Sequence, residues 1–99
     1  MIQSVTASPR VNKRFRATWI DSEGKSRHTD FGQPSGYTYI DGASEAVRTN
    51  YWKRHLANSI EKTKIEHLEP SPALFSAYLT WGTSRDMNRN IQHLNRLMG

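Results

Sequence analysis

The twelve residues SPALFSAYLTWG, at positions 71 to 82, constrain the fold more than any other stretch of the chain. Ser71 followed by Pro72 is a capping residue ahead of a first helical position, and Gly82 is a helix terminator. Between them almost every side chain is apolar. Leu74 with Tyr78 and Phe75 with Leu79, each pair four apart, set large groups around most of the helix circumference. A helix of that kind cannot lie on a wet surface, so it is the central element of a core or of an interface. With 99 residues, 35% of them apolar, the chain has material for one modest core and therefore one domain.

The elements that cover this helix are readable at lower contrast. In RFRATWID, Phe15, Ala17 and Trp19 alternate with Arg14, Arg16 and Thr18, the period of a strand with one buried face. DSEGK is a turn in which Gly24 supplies positive φ, and KSRHTDF returns as a second, more polar strand whose one large apolar residue is Phe31, as suits an edge. Two strands alone are marginal, so the hairpin has to pack on helices. MIQSVTASPRVN, residues 1 to 12, shows no sustained period and is expected to be a flexible N-terminal arm. After the second strand, Asp41 is placed to cap a helix from about Ala43 to Asn58, with Ser44 and Glu45 in its first turn. Val47 with Tyr51, and Trp52 with Leu56 and Ile60, would form its apolar face. EKTKIEHLE, 61 to 69, either extends that helix or forms a connector. Past Gly82, Thr83 is placed to cap a last helix with Asp86 at its third position. There Met87, Ile91, Leu94 and Met98 share a face and Arg85, Arg89 and Arg96 lie opposite. The expected fold class is α+β: an N-terminal two-stranded antiparallel β-hairpin packed on about three α-helices, with an arm over 1–12 and a single domain over 13–99.

Function has to come from two neighbouring stretches, FGQPSGYTYIDG at 31–42 and RTNYWKRH at 48–55. Fourteen Lys and Arg against nine Asp and Glu, a net charge of +5, favour an anionic partner. There is no cysteine, which removes disulfides, thiolate catalysis and Cys-ligated zinc. No run is long enough to span a membrane, and the first residues lack the apolar segment of a secretory signal, so a soluble protein is expected. His28, His55, His67 and His93 fall in different elements without metal-ligand spacing, and no nucleophile elbow, P-loop or dinucleotide fingerprint occurs. An enzyme, a cofactor, a metal site and a small-molecule substrate are therefore not expected.

In RTNYWKRH, Arg48 and Trp52 lie four apart, as do Tyr51 and His55. One reading has Lys53 and Arg54 on phosphates and Tyr51 or Trp52 stacked on a base. The other has Tyr51 and Trp52 in the core, with Arg48 and Arg54 holding the preceding loop through its carbonyls or Asp41. The second has the stronger case, because so short a chain has few other residues with which to build a core. The candidate interaction surface comprises Arg14, Arg16, Tyr37, Tyr39, Arg48, Trp52, Lys53, Arg54, Arg85 and Arg89. Phe31, Gly32, Asp41, Tyr51, His55 and Trp81 are the candidate structural anchors.

The order of these motifs is similar to that of a family of small uncharacterised proteins encoded by large eukaryotic double-stranded DNA viruses. It runs KRFRATW, Gly24-Lys25, a strand closing in Phe31-Gly32, Tyr37-Thr38, Asp41, then Arg48, Tyr51, Arg54-His55, and later YLTW at 78–81. The resemblance spans about residues 13 to 97; Ile40 and the stretch 56–70, which has no glycine-rich run, depart from the pattern. It implies no enzymatic activity. It does imply a virion component assembled in the infected host cell, of minor capsid or cement type, whose partners are other capsid proteins. The alternative is a small basic nucleic-acid-binding protein, with Arg14, Arg16, Arg48, Lys53, Arg54, Arg85 and Arg89 as phosphate contacts.

Overall fold

The computed structural model describes residues 1–99 as a single α+β domain. Three strands, β1 (Ile2–Ala7), β2 (Phe15–Ile20) and β3 (Ser26–Phe31), form an antiparallel sheet in the order β1-β2-β3. A 3-10 turn at Tyr39–Asp41 leads to α1 (Glu45–Ala57) and α2 (Ser59–Glu66). Then come α3 (Pro72–Phe75), which runs into a π-helical turn over Ser76–Thr80, and α4 (Met87–Met98).

The sheet corrects two expectations at once: the hairpin has a third strand, and that strand is half of the presumed arm. Ile2 lies opposite Trp19 and Ala7 opposite Phe15, with a bulge between Ile2 and Ser4. The bulge explains why the strand is invisible in the sequence. An extra residue there lets Ile2 and Val5, three apart, reach the same core, so no period of two survives. Ile2 is buried, and the carboxamide of Asn95 completes its edge, accepting from Ile2 N at 2.7 Å and donating to Ile2 O at 2.9 Å. A side-chain amide thus takes the place of a neighbouring strand. On the opposite margin β3 is the edge strand its polarity predicted.

One face of the sheet makes the larger core. Ala17 and Phe31 are fully buried against Leu74, Phe75, Leu79 and Leu94, with Phe15 and Trp19 packed alongside. Each fully buried large side chain of this set contributes roughly 1.5–3 kcal/mol relative to exposure. A second cluster joins Tyr39, Ala43, Tyr51, Ile65, Ala77 and Trp81. The apolar segment 72–81 supplies both, which is why it needs apolar residues around its whole circumference.

The helix boundaries follow local chemistry, in places not the chemistry expected. Ser44, whose Oγ accepts from Val47 N at 3.2 Å, caps α1 in place of Asp41. Asp41 instead ends the 3-10 turn, and Gly42, at φ +111°, and Ala43 separate it from the Ser44 cap. Val47 and Ile60 are exposed, so the buried face of α1 is narrower than the pattern implied. Asn58 leaves helical geometry and its side chain accepts from Ile60 N and Glu61 N, starting α2 as a separate helix. Ser71 caps α3 as expected, accepting from Leu74 N at 3.1 Å. The helix then widens, with Trp81 N donating to Ser76 O at 3.1 Å, a five-residue step. Asp86 caps α4 in place of Thr83, accepting from Asn88 N and Arg89 N.

Candidate functional site

Most of the arginines expected on an interaction surface turn inward. Arg14 grips Asp41 with both terminal nitrogens, at 2.6 and 2.5 Å, and donates to Gly36 O at 3.2 Å. Asp41 also accepts from Thr38 N at 2.9 Å and Thr38 Oγ1 at 2.8 Å. The Arg14 guanidinium, with Thr38 in support, holds the Asp41 carboxyl well below the usual carboxylate range. Asp41 is therefore the knot of the aromatic loop. Arg16 makes the same forked contact to Asp30 at 2.8 and 3.1 Å, which depresses that carboxyl too.

Arg48 Nε donates to Trp81 O at 3.1 Å and Gly82 O at 2.8 Å, and Trp52 Nε1 shares the Trp81 carbonyl at 2.8 Å. These donors satisfy carbonyls that the end of the π-helical turn leaves without intrahelical partners. Arg85 stands 4.1 Å from the centre of the Tyr39 ring, reaching the Tyr39 hydroxyl at 3.2 Å and Ala43 O at 2.9 Å. Tyr39 itself, expected at the surface, is buried; its hydroxyl donates to Glu45 Oε1 at 2.6 Å, which raises its pKa. Arg48 does hold a backbone, but that of residues 81 and 82, not the loop before α1; Arg14 takes the role toward Asp41.

What remains is a half-open cleft of about 640 Å³ between the loop 32–38, α1, α2 and the start of α3. Its floor is an aromatic stack. Tyr51 lies on Trp81 at 4.6 Å between ring centres and 11° between planes, and His55 covers Tyr51 at 4.0 Å. Burial pushes the Tyr51 hydroxyl pKa up. His55 Nδ1 meets Glu61 Oε2 at 2.5 Å, which ties α1 to α2 across the break at Asn58. Lys13, Arg54 and Lys64 line the walls, and the exposed Tyr37 and Ile60 form the rim.

Gly32, Tyr37, Tyr51, Arg54, His55 and Trp81, all picked from the sequence, come together here. Lys13, Glu61 and Lys64 were missed. Glu61 lies six residues from His55, a spacing that no single helix brings together, and only the turn at Asn58 does so. Phe31 is in the larger core, Lys53 is exposed on α1, and Arg89 borders a separate hollow of about 480 Å³ on α4 with His93, Arg96, Thr83 and Ser84. No three His, Asp or Glu side chains gather closely enough to hold a metal ion. No helix is long and apolar enough to cross a membrane.

Residues 3–55 match the model of a family of unknown function, DUF5754. The matched segment carries the whole Arg14–Asp41 knot, the Arg16–Asp30 fork and α1 as far as His55. An uncharacterised protein of Acanthamoeba polyphaga mimivirus is 35% identical to the chain over 74 residues, which is 75% of this chain and 74% of that protein. No solved structure matches the chain.

Proposed function

On the premise that the chain belongs to DUF5754 and has a relative in a large double-stranded DNA virus, we propose that it is a structural component of a virion, a minor capsid or cement protein that binds other capsid proteins. The observation that carries this reading is the inward use of Arg14, Arg16, Arg48 and Arg85. Each is bonded to a carboxylate, a hydroxyl or backbone carbonyls of its own domain. Much of the positive charge therefore builds the fold and is not aligned for a phosphate backbone. The surface offers other things. Val11, Tyr37, Val47, Ile60 and Leu97 are exposed, and β3 presents an open sheet edge. Scattered apolar side chains and an open edge suit burial against further protein.

Mass spectrometry of gradient-purified particles tests this directly. The protein is expected in stoichiometric amount in capsid shells after genome release, and its absence from particles, or its departure with the DNA, overturns the proposal. The second reading, a nucleic-acid-binding protein, rests on the α4 hollow, where Arg89, His93 and Arg96 follow one helix face beside Thr83 and Ser84. If that reading holds, a gel shift with random duplex appears at low salt, weakens steeply as salt rises, and is lost on Arg89→Gln with Arg96→Gln.

A further inference from the structure

The cleft over the Tyr51–Trp81 stack has a combination of groups that neither fold stability nor capsid docking requires. Its lining carries three cations, Lys13, Arg54 and Lys64, against one carboxylate, Glu61. That carboxylate is occupied by His55. Lys64 has a loose contact with Glu69 at 3.5 Å, whereas Lys13 and Arg54 make no side-chain bond to the domain. Unsatisfied cations converging on a concavity, among low-dielectric aromatic walls, focus a positive potential there.

Two further features narrow the class of anion. Gly32, which takes φ +83° beside Arg14 and Phe15, and Gly36 contribute only backbone to the same wall. Tyr37 is 65% exposed, yet its hydroxyl end rests against Gly42, where a β-carbon would lie 3.0 Å away. The ring is thus held at its tip while most of its surface remains open at the rim. An aromatic ring fixed in that way is a stacking platform for a planar group. A volume of about 640 Å³ is in the ordinary range for small-molecule sites.

We infer that this cleft binds a nucleotide monophosphate, its phosphate against Lys13, Arg54 and Lys64 and its base on Tyr37. The inference goes beyond the capsid reading and does not depend on it. A free mononucleotide and the 5′-phosphorylated end of a strand present the same chemistry, and the experiment separates them. The nucleotide is a bound ligand; no step of chemistry on it is implied.

Two-dimensional amide NMR of the full chain, titrated at about 150 mM salt to limit surface electrostatics, provides the test. AMP is expected to give saturable shifts in the amides of Gly32, Gly36, Tyr37, Arg54 and Lys64, with affinity about ten-fold above that of inorganic phosphate or adenosine. Arg54→Gln and Tyr37→Ala should each weaken AMP about ten-fold while leaving the melting temperature in place, since both side chains are exposed. A 5′-phosphorylated tetradeoxynucleotide that binds these amides more tightly than AMP supports a strand end; weaker binding supports the free nucleotide. The inference is overturned if AMP gives no saturable shift up to about 10 mM, three decades above a strong site. AMP no tighter than phosphate also overturns it, as does an Asp-rich peptide bearing one Phe that saturates the cleft where AMP does not.

Discussion

Asp41 looks like a helix cap in the sequence and acts as a loop clasp in the fold. Its two oxygens accept from Arg14 and Thr38, and these bonds close the crossing over 32–38 from β3 to the 3-10 turn. The folded pKa of Asp41 is depressed, so its stabilisation is fully present above the unfolded carboxylate value of about 4 and is lost as pH falls through the folded value. Asp30 and Asp21, held low by Arg16 and Arg27, add the same sign. Urea unfolding should therefore show stability falling below about pH 4.5. Asp41→Asn should cost about 2 kcal/mol at pH 7, because Arg14 and Thr38 lose charged-acceptor bonds in a partly buried site, and the gap to wild type should narrow as pH drops. A gap that widened in acid would contradict the clasp.

Gly82 is the other residue whose role is steric. A β-carbon there would lie 2.7 Å from Asn90 Oδ1 and collide with the Tyr78 carbonyl. Asn90 is buried and ties the turn by donating to Leu79 O and Ser84 O and accepting from Ser84 N. Gly82→Ala should destabilise by about 2–3 kcal/mol in thermal or urea unfolding, through displaced backbone and weakened Asn90 bonds.

At the scale of elements, β1 shows how a strand can exist without a pattern. Its bulge sets Ile2 and Val5 on the same core, and its outer edge is completed by Asn95 of α4. Native-state hydrogen exchange should find slowly exchanging amides within Ser4–Ala7, paired to β2, where a mobile arm would exchange at once. Asn95→Ala should speed that exchange locally and lower stability by about 1–2 kcal/mol, because the Ile2 amide and carbonyl lose their partners in a part-buried place. The break between α1 and α2 is similarly local. Asn58 caps the second helix, so Asn58→Ala should cost about 1 kcal/mol and loosen the approach of Glu61 to His55.

Across the whole molecule, one segment holds two cores together. Leu74, Phe75 and Leu79 face the sheet and α4, while Ala77 and Trp81 face α1, α2 and the aromatic loop, and Tyr78 touches both sets. The widened turn at Ser76–Thr80 redistributes side chains around the axis so that both surfaces are served. Phe75 packs on Phe31 at 5.9 Å and Trp19 at 6.5 Å between ring centres. Phe75→Ala should cost about 3–5 kcal/mol by opening a cavity. The loss should be cooperative: tryptophan fluorescence, from residues in both clusters, and far-ultraviolet circular dichroism should give superimposable unfolding curves. Separate transitions would show that the two cores are independent.

The sequence by itself determined the features that depend on neighbours along the chain. The period-2 alternation of Phe15, Ala17 and Trp19, the Ser71-Pro72 start, the Met87-Ile91-Leu94-Met98 face and the order of motifs that marks the viral family are local patterns, and local patterns survive in one dimension. Tertiary structure alone decided the partners. Whether a cation faces phosphate or carbonyl depends on what lies across the fold. Arg14 meets Asp41 27 residues on, Arg48 meets Trp81 33 residues on, and Asn95 meets Ile2 93 residues back. The cleft follows the same logic. Lys13, Arg54 and Lys64 are far apart in the chain and unremarkable in composition, and they become one positive wall only because the connection before β2, α1 and α2 close around the Tyr51–Trp81 stack. Hydrogen bonds and charge pairs act over a few ångströms of space, and sequence separation does not measure that distance.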